Sequence, residues 1–267
     1  MRKSLFHDRW KRKVYMCILP GLIGILIFSV IPFIRVLYYS MIKNQFRPSF
    51  VFLDNYAKTL NNRYFQLALK NSLLLIIRDI PVMIIIALII AVSVHFYMKK
   101  NTWILSILAL PVVIPSAGVV VIWKKVFDQV NGIFPVDLLF IWKNTGLCII
   151  LISAALYAIP DEIYDAARVD GADNIRIHLS ITVPIIAPTI LFTNLFAIVS
   201  SFRIFKESYL YYGTGYPPEY AYTLQYYMNN NFLKLDYQKL ATSSVYSAII
   251  SAVFIIIGMR LIKRYEV

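Results

Sequence analysis

The chain has 267 residues, of which 59% are hydrophobic and 15% charged, with 27 Lys and Arg against 14 Asp and Glu. So apolar a composition excludes an ordinary soluble domain, and a net charge of +13 on such a chain points to membrane topology and anionic lipid rather than to nucleic acid. The two cysteines, Cys17 and Cys148, lie inside apolar runs without metal-ligand spacing.

The chain opens on a basic tail, residues 1–13, carrying Arg2, Lys3, Arg9, Lys11, Arg12 and Lys13. The first uncharged run, Val14–Ile34, is too long for a secretory leader and no small-x-small cleavage site follows it, so it reads as a first membrane helix. Five more runs follow: Ile80–Met98, Asn101–Trp123, Asn144–Pro160, Leu179–Phe202 and Leu240–Met259. A hydrocarbon core of about 30 Å needs about 20 helical residues. The second span therefore starts near Asn71, and the short fourth borrows from Phe140–Trp142. None of the runs alternates apolar and polar residues, which excludes a β-barrel. The prediction is an all-α integral membrane protein with six transmembrane helices, residues 14–267 forming one transmembrane domain.

Arg260, Lys263 and Arg264 close the last run. With the basic tail they predict that both termini are cytoplasmic, as are Lys99 and Lys100, whereas Lys124, Lys125 and Lys143 fall outside, against the trend. The outer loops are then 40–66, 124–143 and 206–239, and the inner ones 99–101 and 161–180. Pro20, Gly21, Gly24 and Pro32 break the first span, Pro111, Pro115 and Gly118 interrupt the third, and Pro184 and Pro188 open the fifth. These breaks read either as packing kinks or as helices that rearrange around a path.

Arg78 and Asp79 lie within the membrane and face protein or water if the second span starts at Asn71. If it starts at Ile80, Asp79 caps it, with Pro81 in the first turn. Adjacent helical residues do not face each other, so no pairing between the two is required. The segment 206–239 holds nine of the nineteen tyrosines, as an interfacial aromatic belt or as sugar-stacking rings.

Catalytic signatures are missing. No glycine is followed by lysine, so there is no phosphate loop, and no Gly-x-Ser-x-Gly elbow occurs. His7, His95 and His178 are isolated, without a metal pair. The sequence therefore predicts no catalytic residue, no metal site and no cofactor on this chain.

One loop stands apart. Asp161, Glu162, Asp165, Asp170 and Asp173, five of the fourteen acids, fall within "IPDEIYDAARVDGADNIRIHLSITVPIIAP" between two apolar runs. Pro160 marks a break, and Asp161 and Glu162 suit the start of a helix ending near Val169. Gly171 permits a sharp turn, and Asp173 caps a second helix through Ile181. Asp165–Arg168 and Asp173–Arg176 have ion-pair spacing. The segment is either a solvated hairpin that keeps a loop wet or a docking knob, whose alanines allow close approach and whose acid meets an arginine.

The run "DAARVDGADNIRIHLSITVPIIAP" resembles the EAA loop of ABC importer permeases, E-A-A-x-x-D-G-A, about eleven residues, then Pro. Asp165, Ala166, Ala167, Asp170, Gly171, Ala172 and Pro184 match in order; Asp165 replaces the usual Glu, and His178 stands where Phe is common. The stretches "FLDNYAKTLNNRYFQLALKNSLLL" and "LALPVVIPSAGVVVIWKKVFDQVNGIF" resemble the carbohydrate branch, MalF/UgpA-like, as does the segment joining the last two spans.

The resemblance implies a prokaryotic cell-membrane permease that pairs with a second permease subunit, in a heterodimer. Two ABC ATPase subunits, which hold the ATP and Mg, bind the cytoplasmic side, and the loop 161–184 fits a cleft in one of them. An extracytoplasmic solute-binding protein delivers a sugar or oligosaccharide. It further implies that the sugar passes between the helices flanking the loop, where Gly146, Asn194, Ser200 and Ser201 are polar or small. Rival readings are an ATP-independent secondary transporter or channel, for which Arg78–Asp79 is the one hint, a membrane enzyme, and a permease for a non-sugar solute.

Overall fold

The computed structural model describes residues 16–44, 48–98, 102–130, 132–202, 204–213 and 215–263. The basic tail 1–13, Lys99, Lys100, Asn101 and Arg264 lie outside the described residues. Among those described, regular structure is helical apart from one isolated antiparallel bridge, Ile42 to Phe50. Among the described residues, five helices are long and apolar enough to cross a membrane, or six if one bent pair counts as a single span.

Helix α1 is Met16–Ser40. It widens to a π turn at Leu26–Val30, where the Ile31 N–H bonds to the Leu26 carbonyl and Pro32 follows. A proline cannot donate to the carbonyl four residues back and its ring crowds that carbonyl; a wider turn relieves the clash. Helix α2, Asp54–Leu60, is short. Helix α3, Arg63–Tyr97, runs 35 residues, about 52 Å at 1.5 Å per residue, and so outreaches the apolar layer. Its first turns are the charged stretch Arg63–Lys70, which is why hydropathy alone started the span near Asn71.

Helices α4 (Thr102–Val113) and α5 (Ser116–Val126) meet at 92° across Ile114 and Pro115. Pro115 stands at ψ 131°, outside the helical range, and ends α4. At 12 residues α4 is about 18 Å long, too short to cross alone. The expected third span is therefore a broken one. Helix α6 is Phe134–Tyr157. It begins ten residues before the uncharged run, so Asp137 and Lys143, expected in an outer loop, sit on the span itself.

Helix α7 is Asp161–Val169, and helix α8 is Asn174–Ser201. A second π turn occupies His178–Thr182, its Val183 N–H bonding the His178 carbonyl, with Pro184 placed as Pro32 is in α1. Helix α9 (Phe205–Tyr212), helix α10 (Leu224–Leu233) and helix α11 (Tyr237–Ile262) complete the chain.

The chain divides into two compact units, Met1–Asn62 with Asn231–Tyr246, and Arg63–Asn230 with Ser247–Val267. In the first, Asn55 Nδ2 donates to the carbonyls of Ser40 (3.0 Å) and Ile42 (2.8 Å) and fixes the chain where α1 ends. The buried hydroxyls of Thr59 and Thr242 meet at 2.9 Å. In the second, α3, α6 and α8 share a continuous apolar core that includes Ile80, Met83, Ile149, Ile152 and Ile198. Small residues set the close approaches. A Cβ on Gly146 would collide with the Leu108 carbonyl of α4, and one on Gly258 would come within 2.6 Å of Leu195.

The outer tyrosines divide by burial. Tyr222, Tyr226 and Tyr227 are buried, while Tyr209, Tyr216 and Tyr220 are exposed. Tyr226 packs edge-on to Phe205 at 4.9 Å and meets the Ser208 hydroxyl at 3.1 Å. Burial pushes its phenol up to about 12, so it stays protonated. Part of the tyrosine-rich segment is thus a small core of its own rather than a belt.

Candidate functional site

The acidic segment folds as a helix, a closed turn and a second helix. Asp161 and Glu162 occupy the first turn of α7, where the helix dipole favours them. At its end the Gly171 N–H bonds the Arg168 carbonyl and the Ala172 N–H bonds the Ala167 carbonyl, both at 3.0 Å. Gly171 stands at φ +79°. This paired closure needs a left-handed residue at that position, and glycine supplies it without a Cβ clash. Asp173 Oδ1 then accepts the Arg176 N–H at 2.9 Å and starts α8. The second arm does not stop at Ile181, as the sequence suggested; it continues through the π turn to Ser201.

The underside of this turn is anchored. Tyr164, Ala167 and Ile177 are buried. Tyr164 packs edge-on to Phe96 at 5.0 Å, and His178 packs against the same ring at 4.6 Å. His178 thus packs as an aromatic ring, and neither ring nitrogen has a hydrogen-bond partner among the described residues. The outer side is exposed: Val169 is 88% accessible and Ile175 68%. Asp165, Ala166, Asp170, Gly171 and Pro184 are exposed as well, and Ala172 is half-buried. Asp165 Oδ1 accepts from Arg168 Nη1 at 3.0 Å, an exposed pair of little energetic weight. The segment therefore presents acids and apolar side chains together, on a base held by aromatic packing.

The same compact unit contains a cavity of about 330 Å³. The bend at Pro115 brings Ser116, the first residue of α5, to its wall. Lys143 of α6 donates to Glu207 Oε1 of α9 at 2.8 Å and to the Ser116 hydroxyl, which itself donates to Glu207 Oε1 at 2.6 Å. Both charged side chains are largely buried, at 17% and 14% accessible. Asn144 and Ser200 also line the cavity, and Lys206 stands exposed at its edge.

The four residues proposed for a solute path do not converge. Ser200 faces this cavity. Gly146 packs against α4 and lines a separate apolar hollow of about 550 Å³. Asn194 lines a third, beside Gly258. Ser201 is buried and donates to the Ile198 carbonyl of its own helix at 2.7 Å. Lys143 and Glu207 escaped sequence reading because both were assigned to loops, and they lie 64 positions apart.

Arg78 and Asp79 sit in mid-helix, which removes the capping alternative. Adjacency on a helix does not require the two to pair, but here they do, Arg78 Nε donating to Asp79 Oδ1 at 2.6 Å. The same guanidinium reaches Asp137 of α6. One cation thus joins two buried carboxylates and ties α3 to α6, leaving Asp137 Oδ1 without a hydrogen-bond partner among the described residues. No group of three or more metal-ligating side chains occurs among the described residues.

The family model for the binding-protein-dependent transport system inner membrane component matches residues 84–266. The arabinooligosaccharides transport system permease protein AraP of Bacillus subtilis (strain 168) is 26% identical, over 98% of this chain and 90% of that protein. The trehalose/maltose transport system permease protein MalF of Thermococcus litoralis is 24% identical, over 91% of this chain and 89% of its own length. Among solved structures, a chain from the crystal structure of a bacterial alginate ABC transporter in complex with alginate pentasaccharide-bound periplasmic protein superposes with a TM-score of 0.75 at 22% identity. That match covers 99% of this chain and 97% of the other. With the matched region spanning three of its long helices, the bent pair and the closed turn between α7 and α8, the chain belongs to the binding-protein-dependent transport system inner-membrane components, as a multi-pass membrane protein.

Proposed function

We propose that this chain is the transmembrane subunit of an ATP-driven importer for a sugar or oligosaccharide. An extracytoplasmic binding protein delivers the solute, and a separate ATPase drives the cycle through the segment 161–184. The observation that carries the coupling role is the closed turn at Gly171 between α7 and α8. It exposes Asp165, Ala166 and Asp170 while Tyr164 and Ala167 anchor it from below. A joint that transmits force needs a rigid base and an accessible face, and this segment has both.

The saccharide class rests on the relatives, whose names specify arabinooligosaccharides and trehalose/maltose. The family description, binding-protein-dependent transport, supports a delivery protein. A second permease subunit and two ATPase subunits complete the proposed assembly, with both termini of this chain on the ATPase side. ATP and Mg belong to the ATPase.

Co-purification tests the coupling role. The tagged chain is expressed with its candidate ATPase and second permease, as wild type, Asp165→Arg and Gly171→Pro. The ATPase is expected to accompany wild type and to be lost from both variants, with all three chains at equal levels in the membrane. Equal recovery of the ATPase with all three would remove the coupling role.

A further inference from the structure

Resting on the saccharide reading, we infer that the Lys143–Glu207 pair is the specificity element of the solute path and engages two adjacent hydroxyls of a neutral sugar ring. Three observations carry this.

The first is unused bonding capacity. A lysine ammonium has three donors, and Lys143 spends two, on Ser116 and Glu207. Glu207 accepts both of its bonds through Oε1, so Oε2 has no hydrogen bond among the described residues. The pair therefore offers a free donor beside a free acceptor. A vicinal diol is the matching pattern, since one hydroxyl accepts from the ammonium while its neighbour donates to the carboxylate.

The second is the surroundings. Asn144 uses Nδ2 on the Phe140 carbonyl at 2.8 Å, which leaves its Oδ1 as a further acceptor, and Ser200 adds a hydroxyl. At about 330 Å³ the cavity lies at the small end of ligand pockets, which start near 300 Å³, and suits one ring rather than a whole oligosaccharide.

The third is charge. Glu207 already neutralises Lys143, and its carboxylate repels an anion, so the buried pair selects neutral rings. Lys206 also lines the cavity, but it is exposed, so solvent screens its charge more than that of the buried pair. Ser116, bonded to both charges, is a positioning residue that holds them side by side.

Uptake by the assembled transporter in membrane vesicles tests the inference, with labelled maltotriose, arabinotriose and trigalacturonate as probes. Wild type is expected to carry a neutral trisaccharide in preference to the uronate. Glu207→Gln and Lys143→Gln should raise KM for that sugar about ten-fold or more while the maximal rate is kept, because hydrogen bonds to charged groups are the stronger ones. Ser116→Ala keeps both charges and should raise KM about two- to ten-fold; it decides the matter if the charge variants do not reach the membrane.

A fall in maximal rate with KM unchanged would make the pair a mere interhelical brace and overturn the inference. So would preferential uptake of trigalacturonate by wild type. If wild type carries none of the three, the saccharide reading itself fails, and the inference falls with it. If a neutral sugar is carried with the same KM by every variant, only the inference fails.

Discussion

At the scale of single residues, the shared cation between α3 and α6 sets the sharpest expectation. Arg78 bonds Asp79 and Asp137, and both carboxylates are buried. Removing the cation strands two like charges in an apolar layer, whereas neutralising one carboxylate leaves a balanced pair. Arg78→Leu is therefore expected to destabilise the protein by about 3 kcal/mol. Asp137→Asn should cost far less, since it removes one of two buried like charges beside a single cation. Thermal unfolding of the detergent-purified protein would separate the two; equal losses would mean that the triad is held by packing rather than by charge. Such residues were hard to read in the sequence. Asp79 was visible because it interrupts an apolar run, but Asp137 sits near Lys143 and the pair of charges disguised the start of α6 as a loop.

At the scale of elements, local rules made the α7 turn readable. Pro160, Gly171 and Asp173 each have one physical job, and the structure gives each that job: a break, a left-handed turn and a cap. What the local rules missed was continuity, because Pro184 looked like the start of a helix. It instead follows a π turn within one helix, as Pro32 does in α1. The π turn exists to accommodate the proline ring, so Pro184→Ala should let His178–Thr182 relax towards an α turn. That change winds α7 relative to the rest of α8. Under the proposed function, the expected outcome is a protein of equal or higher thermal stability that still recovers the ATPase in co-purification but has lost most of the sugar uptake. Undiminished uptake in that variant would mean that the register across the π turn carries no function. The polar cavity, by contrast, was illegible. It depends on a 92° bend that brings Ser116 to two charges distant in sequence, and no window of neighbouring residues contains all three.

At the scale of the whole molecule, composition alone pointed to the class, and the apolar runs, with the second extended back to Asn71, located the spans to within about ten residues. The errors lay where charge enters a helix, at Arg63–Lys70 in α3 and at Asp137 and Lys143 in α6. Orientation is the expectation that bears most on function. With both termini inside, Val169 at the α7 turn faces the cytoplasm and Tyr216, 63% accessible, faces out. In a background with Cys17 and Cys148 replaced, Val169→Cys and Tyr216→Cys answer this directly. An impermeant maleimide added to right-side-out vesicles should label the Tyr216→Cys protein and spare the Val169→Cys protein until the membrane is opened. The reverse pattern would invert the topology and set the acidic segment on the wrong side for an ATPase.

The unbroken course of α8 from Asn174 to Ser201 also bears on how such proteins can be recombined. A loop between two helices can be exchanged at its ends. Here the motif ends at Pro184 but the helix does not, so a chimera cut there would splice two sequences in the middle of one rod. It would reset the angular phase of everything beyond the cut. Under the proposed coupling the transferable module is 161–201, and a designer wishing to retarget this chain to a different ATPase would have to bring along the cavity wall that carries Ser200.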